Sequence, residues 1–345
     1  MDFAILTFLV QDGLTTGAIY ALIALAIVLV FAVTRVILVC QGDFVVFSAL
    51  TLATLQAGQV PGTLWLLIGG ALLACAKESA LALRHSHAAR VPLLLLKHLS
   101  LPAVLWLLLA NLDLAALHGL AKVALTLAIV VPLGPILYRL VYQPVAETSV
   151  LLLLILSVAL HITLIGLGLW LFGAEGYRTL PFTDASFLVG DAMVGGQNLL
   201  VIGIALALII ALYLFFGFSL YGKALRATAF NRNGAQLMGI PTDLAGSSAF
   251  FLAAAIGACS GILIGPITTL YYDSGFLISL KGFVAAIIGG LLSYPLAALG
   301  AFAVGLIESF ASFWASAYKE VIVFTLVIPV LLWLSLTTHH VEEEH

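Results

Sequence analysis

Long unbroken runs of leucine, alanine, valine and isoleucine recur along the whole chain. Crossing the hydrocarbon of a bilayer takes about 20 apolar residues in a helix, and only helices and closed barrels satisfy every backbone hydrogen bond in lipid. The runs lack the alternation of barrel strands, which favours helices. Of the 345 residues, 63% are hydrophobic and 8% are charged, whereas soluble domains carry roughly 25% charged residues. The sequence therefore predicts an all-α polytopic membrane protein.

The runs divide the chain into candidate transmembrane helices. We expect a bundle of about 8 to 11 such helices in a single domain covering residues 1–345. The second and third candidates are short and weakly apolar. The candidate spans are 13–33, 43–57, 62–76, 91–109, 118–138, 148–170, 197–217, 246–267, 276–292, 296–316 and 321–338.

Basic residues at the ends of the candidate spans predict the orientation. Cytoplasmic loops carry an excess of lysine and arginine, and one orientation places most of the 13 basic residues on a single side. That orientation puts the N-terminus outside and residues 339–345 in the cytoplasm. The basic residues on the predicted cytoplasmic side are Arg35, Lys77, Arg84, Arg90, Arg139, Lys223, Arg226 and Arg232.

Several function classes are disfavoured. A net charge of −3 supplies no basic field for nucleic acid. The three cysteines stand apart from one another and from histidine, so neither a disulfide framework nor a metal site is expected. His85 and His87 are interpreted as solvated loop residues. An intramembrane enzyme would need a clustered nucleophile, base or metal set, and none is evident.

A match to a phosphate-binding loop is rejected. Residues 217–223 fit G-x-x-x-x-G-K, but Ala224 replaces the Ser/Thr that would bind Mg²⁺, and an apolar span precedes the match where a strand is required. We therefore expect the chain to bind no cofactor and hydrolyse no ATP itself.

The loop at residues 219–245 is basic and predicts two short helices. One runs from Lys223 to Phe230 and the other from Ala235 to Met238, where Gly239 ends it. Two interpretations remain open. The loop is either a solvated segment made basic by the positive-inside rule or a docking element with Leu237, Met238 and Ile240 as apolar contacts.

Glycines repeat on one face of the span 246–267. Gly257, Gly261 and Gly265 recur every four residues, and Gly13 and Gly17 form a shorter version. Such stripes let neighbouring helices approach closely, and we favour packing within the chain over a dimer seam. Gly289 and Gly290 are assigned to helix packing as well.

Polar groups near the ends of spans suggest a substrate path. Pro266 should break its helix, and broken helices can expose backbone to a substrate. The candidate residues of an outer vestibule are Thr268, Thr269, Tyr272 and Asp273.

Few ionisable groups lie within the spans, and they give little sign of a proton relay. Glu308 is expected near the outer surface. His161 has either a transport role or a hydrogen bond to a backbone carbonyl one turn away. The lack of paired carboxylates or an acid–histidine chain argues against a proton-coupled pump.

Three ordered stretches resemble the permeases of branched-chain amino acid ABC transporters, of the LivH/LivM type. Segment 75–131 does not align with that family, Asn233 stands where members usually carry an acidic residue, and the 337–345 end lacks the usual proline. The matching stretches are 13–25 with 34–37 and 41–44; 222–227 with 231–232 and 235–240; and 281–300 with 305–308 and 318–320.

The resemblance implies a permease of the bacterial inner membrane that imports branched-chain or other hydrophobic amino acids by alternating access. Two ATPase subunits carrying ATP and Mg²⁺ would dock inside, a second permease would pair with the chain, and a solute-binding protein would deliver cargo outside. Deleting residues 235–239 should spare insertion but abolish coupled ATPase activity. The coupling residues implied are Arg226, Asn231, Arg232, Ala235, Leu237, Met238, Gly239 and Ile240.

Two alternatives stay open. A related ABC permease could carry urea or short amides instead of amino acids. A secondary carrier or channel working alone would need a buried charge relay or an ion site made by broken helices.

Overall fold

The computed structural model describes residues 3–84, 91–189, 192–291 and 293–338. The predicted solvated residues His85 and His87 and the predicted cytoplasmic tail 339–345 lie outside these ranges. Within them the chain is almost entirely helical. The α-helices are α1 (Phe3–Thr34), α2 (Gln41–Gln56), α3 (Thr63–Arg84), α4 (Val91–Asn111), α5 (Gly119–Val130), α6 (Leu133–Leu137), α7 (Val150–Phe172), α8 (Gly196–Phe218), α9 (Leu220–Phe230), α10 (Arg232–Leu237), α11 (Thr242–Ile264), α12 (Gly275–Ile288), α13 (Tyr294–Trp314), α14 (Lys319–Thr325) and α15 (Val327–Thr338).

The remaining regular elements are short. A π-helical turn (Tyr138–Tyr142) and a 3₁₀ turn (Gln143–Val145) follow α6, and a second 3₁₀ turn (Ser316–Tyr318) precedes α14. Strands β1 (Ser186–Val189) and β2 (Ala192–Gly195) pair antiparallel as a hairpin before α8.

The all-α polytopic prediction is confirmed. In the described ranges, 8 helical segments are long and apolar enough to cross a bilayer, and each predicted span overlaps at least one helix. The segments are Ala4–Thr34, Thr63–Arg84, Pro92–Asn111, Gly119–Val145, Val150–Phe172, Gly196–Phe218, Thr242–Ile264 and Tyr294–Trp314.

Two predicted spans are interrupted. The span 118–138 divides into α5 and α6 where Pro132 removes a backbone donor, and 321–338 divides into α14 and α15. Pro329 lies four residues after Thr325, the last residue of α14, and its ring excludes the Thr325 carbonyl from a helical hydrogen bond.

Helix α1 forms the centre of the bundle, and residues 18–30 are buried throughout. It crosses α13 closely because glycines replace side chains at the crossing. A Cβ on Gly13 would lie 2.8 Å from the Leu306 Cα, and one on Gly17 would lie 2.9 Å from the Phe302 Cα.

Helix α2 packs along the second half of α11. The Gln41 Nε2 donates to the Ala253 carbonyl at 2.9 Å, and the Ser48 Oγ donates to the Ala258 carbonyl at 2.6 Å. Ala253 lies at the middle of α11, so α2 begins at mid-bundle and runs parallel to α11. With 16 residues against the 23 of α11, it is too short to cross the bilayer, and we call a helix of this kind half-length.

Helix α12 is the counterpart of α2. It starts at Gly275, whose backbone touches that of Gly42, and it ends where Gly289 packs on Ala297 at the start of α13. Two half-length helices therefore begin beside each other inside the bundle. Non-helical linkers lead into both of them: residues 35–40 before α2 and residues 265–274 before α12.

Candidate functional sites: a mid-bundle junction and a coupling loop

The first turns of α2 and α12 meet without intervening side chains. A Cβ on Gly42 would overlap the Gly275 carbonyl oxygen, and one on Gly275 would lie 2.7 Å from the Asp43 Oδ1. Only glycine fits either position while the two backbones are in contact. We call this contact, together with Asp43, the junction.

The junction carries a buried acid–histidine pair. The His161 Nδ1 lies 2.9 Å from Asp43 Oδ1 and 2.8 Å from Oδ2, and each side chain is only 4% exposed. Nδ1–H donates to the carboxylate. The His161 ring also stacks on Phe276, the second residue of α12, with a centroid distance of 5.2 Å. One imidazole therefore touches the first turns of both half-length helices.

This pair corrects two expectations. His161 binds a carboxylate, not a backbone carbonyl one turn away, and the expected absence of an acid–histidine contact is wrong. The two residues lie 118 positions apart, so no local sequence motif predicts the contact. Asp43 sits at the N-terminal end of α2, where the helix dipole stabilises a negative charge.

A second charged cluster ties α1, α12, α13 and α14 together. The Lys281 Nζ donates to Glu308 Oε1 at 2.5 Å and to Glu320 Oε1 at 3.1 Å. The Tyr20 hydroxyl donates to Glu308 Oε2 at 2.7 Å. Glu308 lies in the last third of α13, near the helix end that the sequence predicts to be outside, but it is buried against its partners and not exposed to water.

Helices α9 and α10 form a short hairpin between α8 and α11, which we call the coupling loop. The Ser219 Oγ caps α9 by accepting from the Gly222 N–H at 3.0 Å, and the Asn231 Oδ1 caps α10 by accepting from the Gly234 N–H at 2.8 Å. Gly239 follows α10 with a φ of +83°, a conformation that glycine adopts without strain.

The coupling loop is anchored on one face and open on the other. Leu225 packs into a small core with Leu29, Phe216 and Ala249. Large apolar side chains project outward: Leu237 is 88% exposed, Met238 84% and Phe230 93%. The sequence analysis did not predict Phe230 as an apolar contact, because a phenylalanine at the end of a helix is common.

The other coupling residues predicted from the sequence occupy different positions in this loop. Ala235 is buried, and Arg226 is exposed. Ile240 is half-buried and lines a groove of about 700 Å³ with Pro135, Phe215 and Leu244, among others. Arg232 is half-buried, and its Nη1 donates to the Ala146 carbonyl at 3.4 Å. Arg232 therefore links the loop to the segment before α7.

The predicted vestibule residues lie on the linker that leads into α12. Thr268, Thr269 and Asp273 are exposed, and Tyr272 is half-buried beside Gly168 of α7. As the break at Pro266 predicts, α11 ends at Ile264. The linker pairs with residues 177–179, as the Tyr177 N–H donates to the Leu270 carbonyl at 2.9 Å.

The predicted packing glycines have different surroundings. A Cβ on Gly257 would lie 2.8 Å from the Phe44 Cβ, and one on Gly261 would overlap the Val45 carbonyl, both in α2. Gly265 packs on the loop residue Thr179. The packing assignment is wrong for Gly290, because a Cβ there would have open space around it. Gly290 instead forms part of a turn, with a φ of +63°.

Comparison with known proteins shows the family of the chain. A family profile described as the permease component of branched-chain amino acid transport systems matches residues 97–331. The chain belongs to this family. The match begins inside the segment 75–131, which the sequence interpretation treated as divergent.

Two relatives illustrate the similarity of this permease to named proteins. It is 30% identical over 201 residues to the high-affinity branched-chain amino acid permease LivH of Escherichia coli K12, an alignment covering 56% of the chain and 65% of LivH. It is 24% identical over 336 residues to the permease BraD of Pseudomonas aeruginosa, covering 93% and 92% respectively. No solved structure matches. Within the described residues, no group of three or more His, Cys, Asp or Glu side chains could hold a metal ion.

Proposed function

We propose that this chain is the permease subunit of an ATP-driven importer for branched-chain or other hydrophobic amino acids. The observation that carries the proposal is the coupling loop: a capped pair of short helices, anchored to the bundle, that presents Phe230, Leu237 and Met238 to a partner. Large apolar side chains at such exposure indicate an interaction site.

Separate ATPase subunits bind this loop and hydrolyse ATP with Mg²⁺, while the permease itself holds no cofactor. The loop end of the bundle then faces the cytoplasm of a bacterial inner membrane, in agreement with the basic residues Arg226 and Arg232. ATPase closure moves the loop and switches the bundle between inward-open and outward-open states.

Cargo enters from a solute-binding protein on the opposite side, and a second permease, either identical or different, completes the path. Thr268, Thr269, Tyr272 and Asp273 line its outer part, because the non-helical linker that bears them leads directly to the junction. Irregular backbone at this depth is tolerated where it is buried in protein or borders an aqueous cavity.

A second candidate function is a secondary carrier that works alone. The buried Asp43–His161 and Lys281–Glu308 pairs favour it, because ionisable groups inside a membrane often serve ion pathways.

Uptake into proteoliposomes distinguishes these functions. The vesicles contain the permease purified with its native partners, the solute-binding protein is added outside, and radiolabelled leucine, acetamide and urea are compared. We expect leucine uptake that needs ATP inside the vesicle and is unaffected by collapsing the ion gradients. Uptake that follows an ion gradient without ATP would establish the carrier, and preferential uptake of urea or acetamide would reassign the cargo.

A further inference from the structure

Helix α7 contacts the rest of the bundle through one narrow stripe. Its buried residues fall on a single face, and the opposite face is exposed along most of the helix. A helix held by so little surface is easier to displace than the central α1. The buried residues are Leu153, Ser157, His161, Leu164, Gly168 and Phe172.

The start of α7 is tied to the coupling loop. Arg232, the first residue of α10, donates to the Ala146 carbonyl at 3.4 Å. Only three residues separate Ala146 from Val150, where α7 begins, and the Ser149 Oγ accepts from the Leu152 N–H as the helix cap. A displacement of α10 therefore has a short route into α7, which consists of one hydrogen bond and the chain segment 146–149.

The middle of α7 is tied to the junction. His161 donates to Asp43 in the first turn of α2 and stacks on Phe276 in the first turn of α12. One turn earlier, the Ser157 Oγ lies 2.8 Å from the Tyr142 hydroxyl, which in turn lies 3.9 Å from the Sγ of Cys40, the residue just before α2. Thr163 lies on the exposed face of α7, and its hydroxyl donates to the Ala159 carbonyl of the same helix at 2.9 Å.

We propose that α7 transmits the motion of the coupling loop to the junction, and that His161 is the positioning residue that passes this motion to both half-length helices through Asp43 and Phe276. The inference rests on the proposed function, since it needs a partner that moves the loop. The contacting Gly42 and Gly275 backbones leave no space for cargo between the two helix starts, so this conformation holds the junction closed.

The test uses the complete reconstituted complex and measures leucine transported per ATP hydrolysed. The variants are His161→Gln, Arg232→Gln and the double variant, with Thr163→Ala on the exposed face of α7 as the control. Complex assembly is checked for each by size-exclusion chromatography. If His161→Gln does not assemble, Phe276→Leu replaces it with the same expected loss, because it removes the ring on which His161 stacks and keeps an apolar side chain.

Two variants acting on one route are not additive. We expect each single variant to lower the leucine-to-ATP ratio about tenfold. The ratio of the double variant should stay within about twofold of the lower of the two single-variant ratios. Thr163→Ala should stay within about twofold of the unmodified chain. A purely structural role would instead lower transport and ATPase activity together, leaving the ratio unchanged.

Two results would overturn the transmission route. One is a double variant whose fold loss in the leucine-to-ATP ratio equals the product of the two single fold losses, because the effects of independent sites multiply. The other is a His161→Gln complex with an unchanged ratio. A failure of the proposed function is separate and visible in the unmodified complex, which would then show no cargo-stimulated ATPase activity.

Discussion

The Lys281 ammonium lies 2.5 Å from Glu308 Oε1 across two neighbouring helices, α12 and α13, and both side chains are largely shielded from solvent. Removing one partner of a buried ion pair leaves an uncompensated charge and costs about 3–5 kcal/mol, whereas replacing both with apolar groups is often neutral. The cluster thus fixes the half-length helix α12 to its neighbours.

Lys281→Met should therefore lower the thermal unfolding midpoint of the purified chain markedly, and the double variant Lys281→Met/Glu308→Met should recover much of the loss. The control is Lys97→Met, because Lys97 is exposed. Equal midpoints for the two single lysine variants would contradict a stabilising role for the cluster. The measurement is intrinsic fluorescence during heating in detergent.

Close packing of α2 on α11 predicts a strong position dependence for glycine substitutions. A Cβ at Gly261 meets the Val45 carbonyl, so Gly261→Ala should cost about 1–3 kcal/mol through overpacking. Gly203 in α8 has open space around it, and Gly203→Ala should be neutral or slightly stabilising. Thermal midpoints and the monodisperse fraction on size-exclusion chromatography compare the two variants. Similar losses for both would refute the close helix contact.

The Asn231 cap predicts the local stability of α10. Asn231→Ala removes the acceptor for the Gly234 N–H, which should cost about 1 kcal/mol and speed hydrogen exchange in α10 about fivefold. Asn233→Ala, an exposed asparagine two residues along the chain, is the control. Hydrogen–deuterium exchange mass spectrometry resolves this loop, and unchanged exchange in Asn231→Ala would show that the cap does not stabilise it.

Under the proposed function, the exposed apolar surface of the coupling loop is where ATPase subunits would dock. Leu237→Asp and Met238→Asp place a charge at side chains 88% and 84% exposed, so they should abolish ATPase capture without affecting insertion or the unfolding midpoint. Leu188→Asp introduces the same charge on strand β1, outside the coupling loop, and should keep capture intact. Capture is measured by affinity purification of the tagged permease from membranes. ATPase retained by Leu237→Asp and Met238→Asp would reassign the loop to a solvated connection.

Much of the fold follows from local sequence patterns. Apolar length located all eight spanning segments, although the predicted spans 43–57, 276–292 and 321–338 are shorter or divided helices. Helix formers followed by Gly239 located the two short helices of the coupling loop. The stripe of Gly257 and Gly261 indicated a close helix contact, although not that its partner is the half-length α2. These features depend on residues within a few turns of one another, which the sequence displays directly.

The junction could not be predicted in this way. Asp43 and His161 meet across 118 positions, and the contact of Gly42 with Gly275 depends on two helices beginning at mid-bundle. Nothing local distinguishes a half-length helix such as α2 from a weakly apolar span. Likewise Lys281, Glu308 and Glu320 looked like unrelated polar residues until the tertiary fold paired them.

The most direct test of the central claim, that this permease works with ATPase subunits, is gentle purification of the tagged chain from native membranes with partners quantified by mass spectrometry. The account predicts an ATP-binding-cassette ATPase in stoichiometric amount, together with a permease partner that is either a second chain or another copy. A chain that purifies alone, from membranes in which it supports leucine uptake driven by an ion gradient, would contradict it.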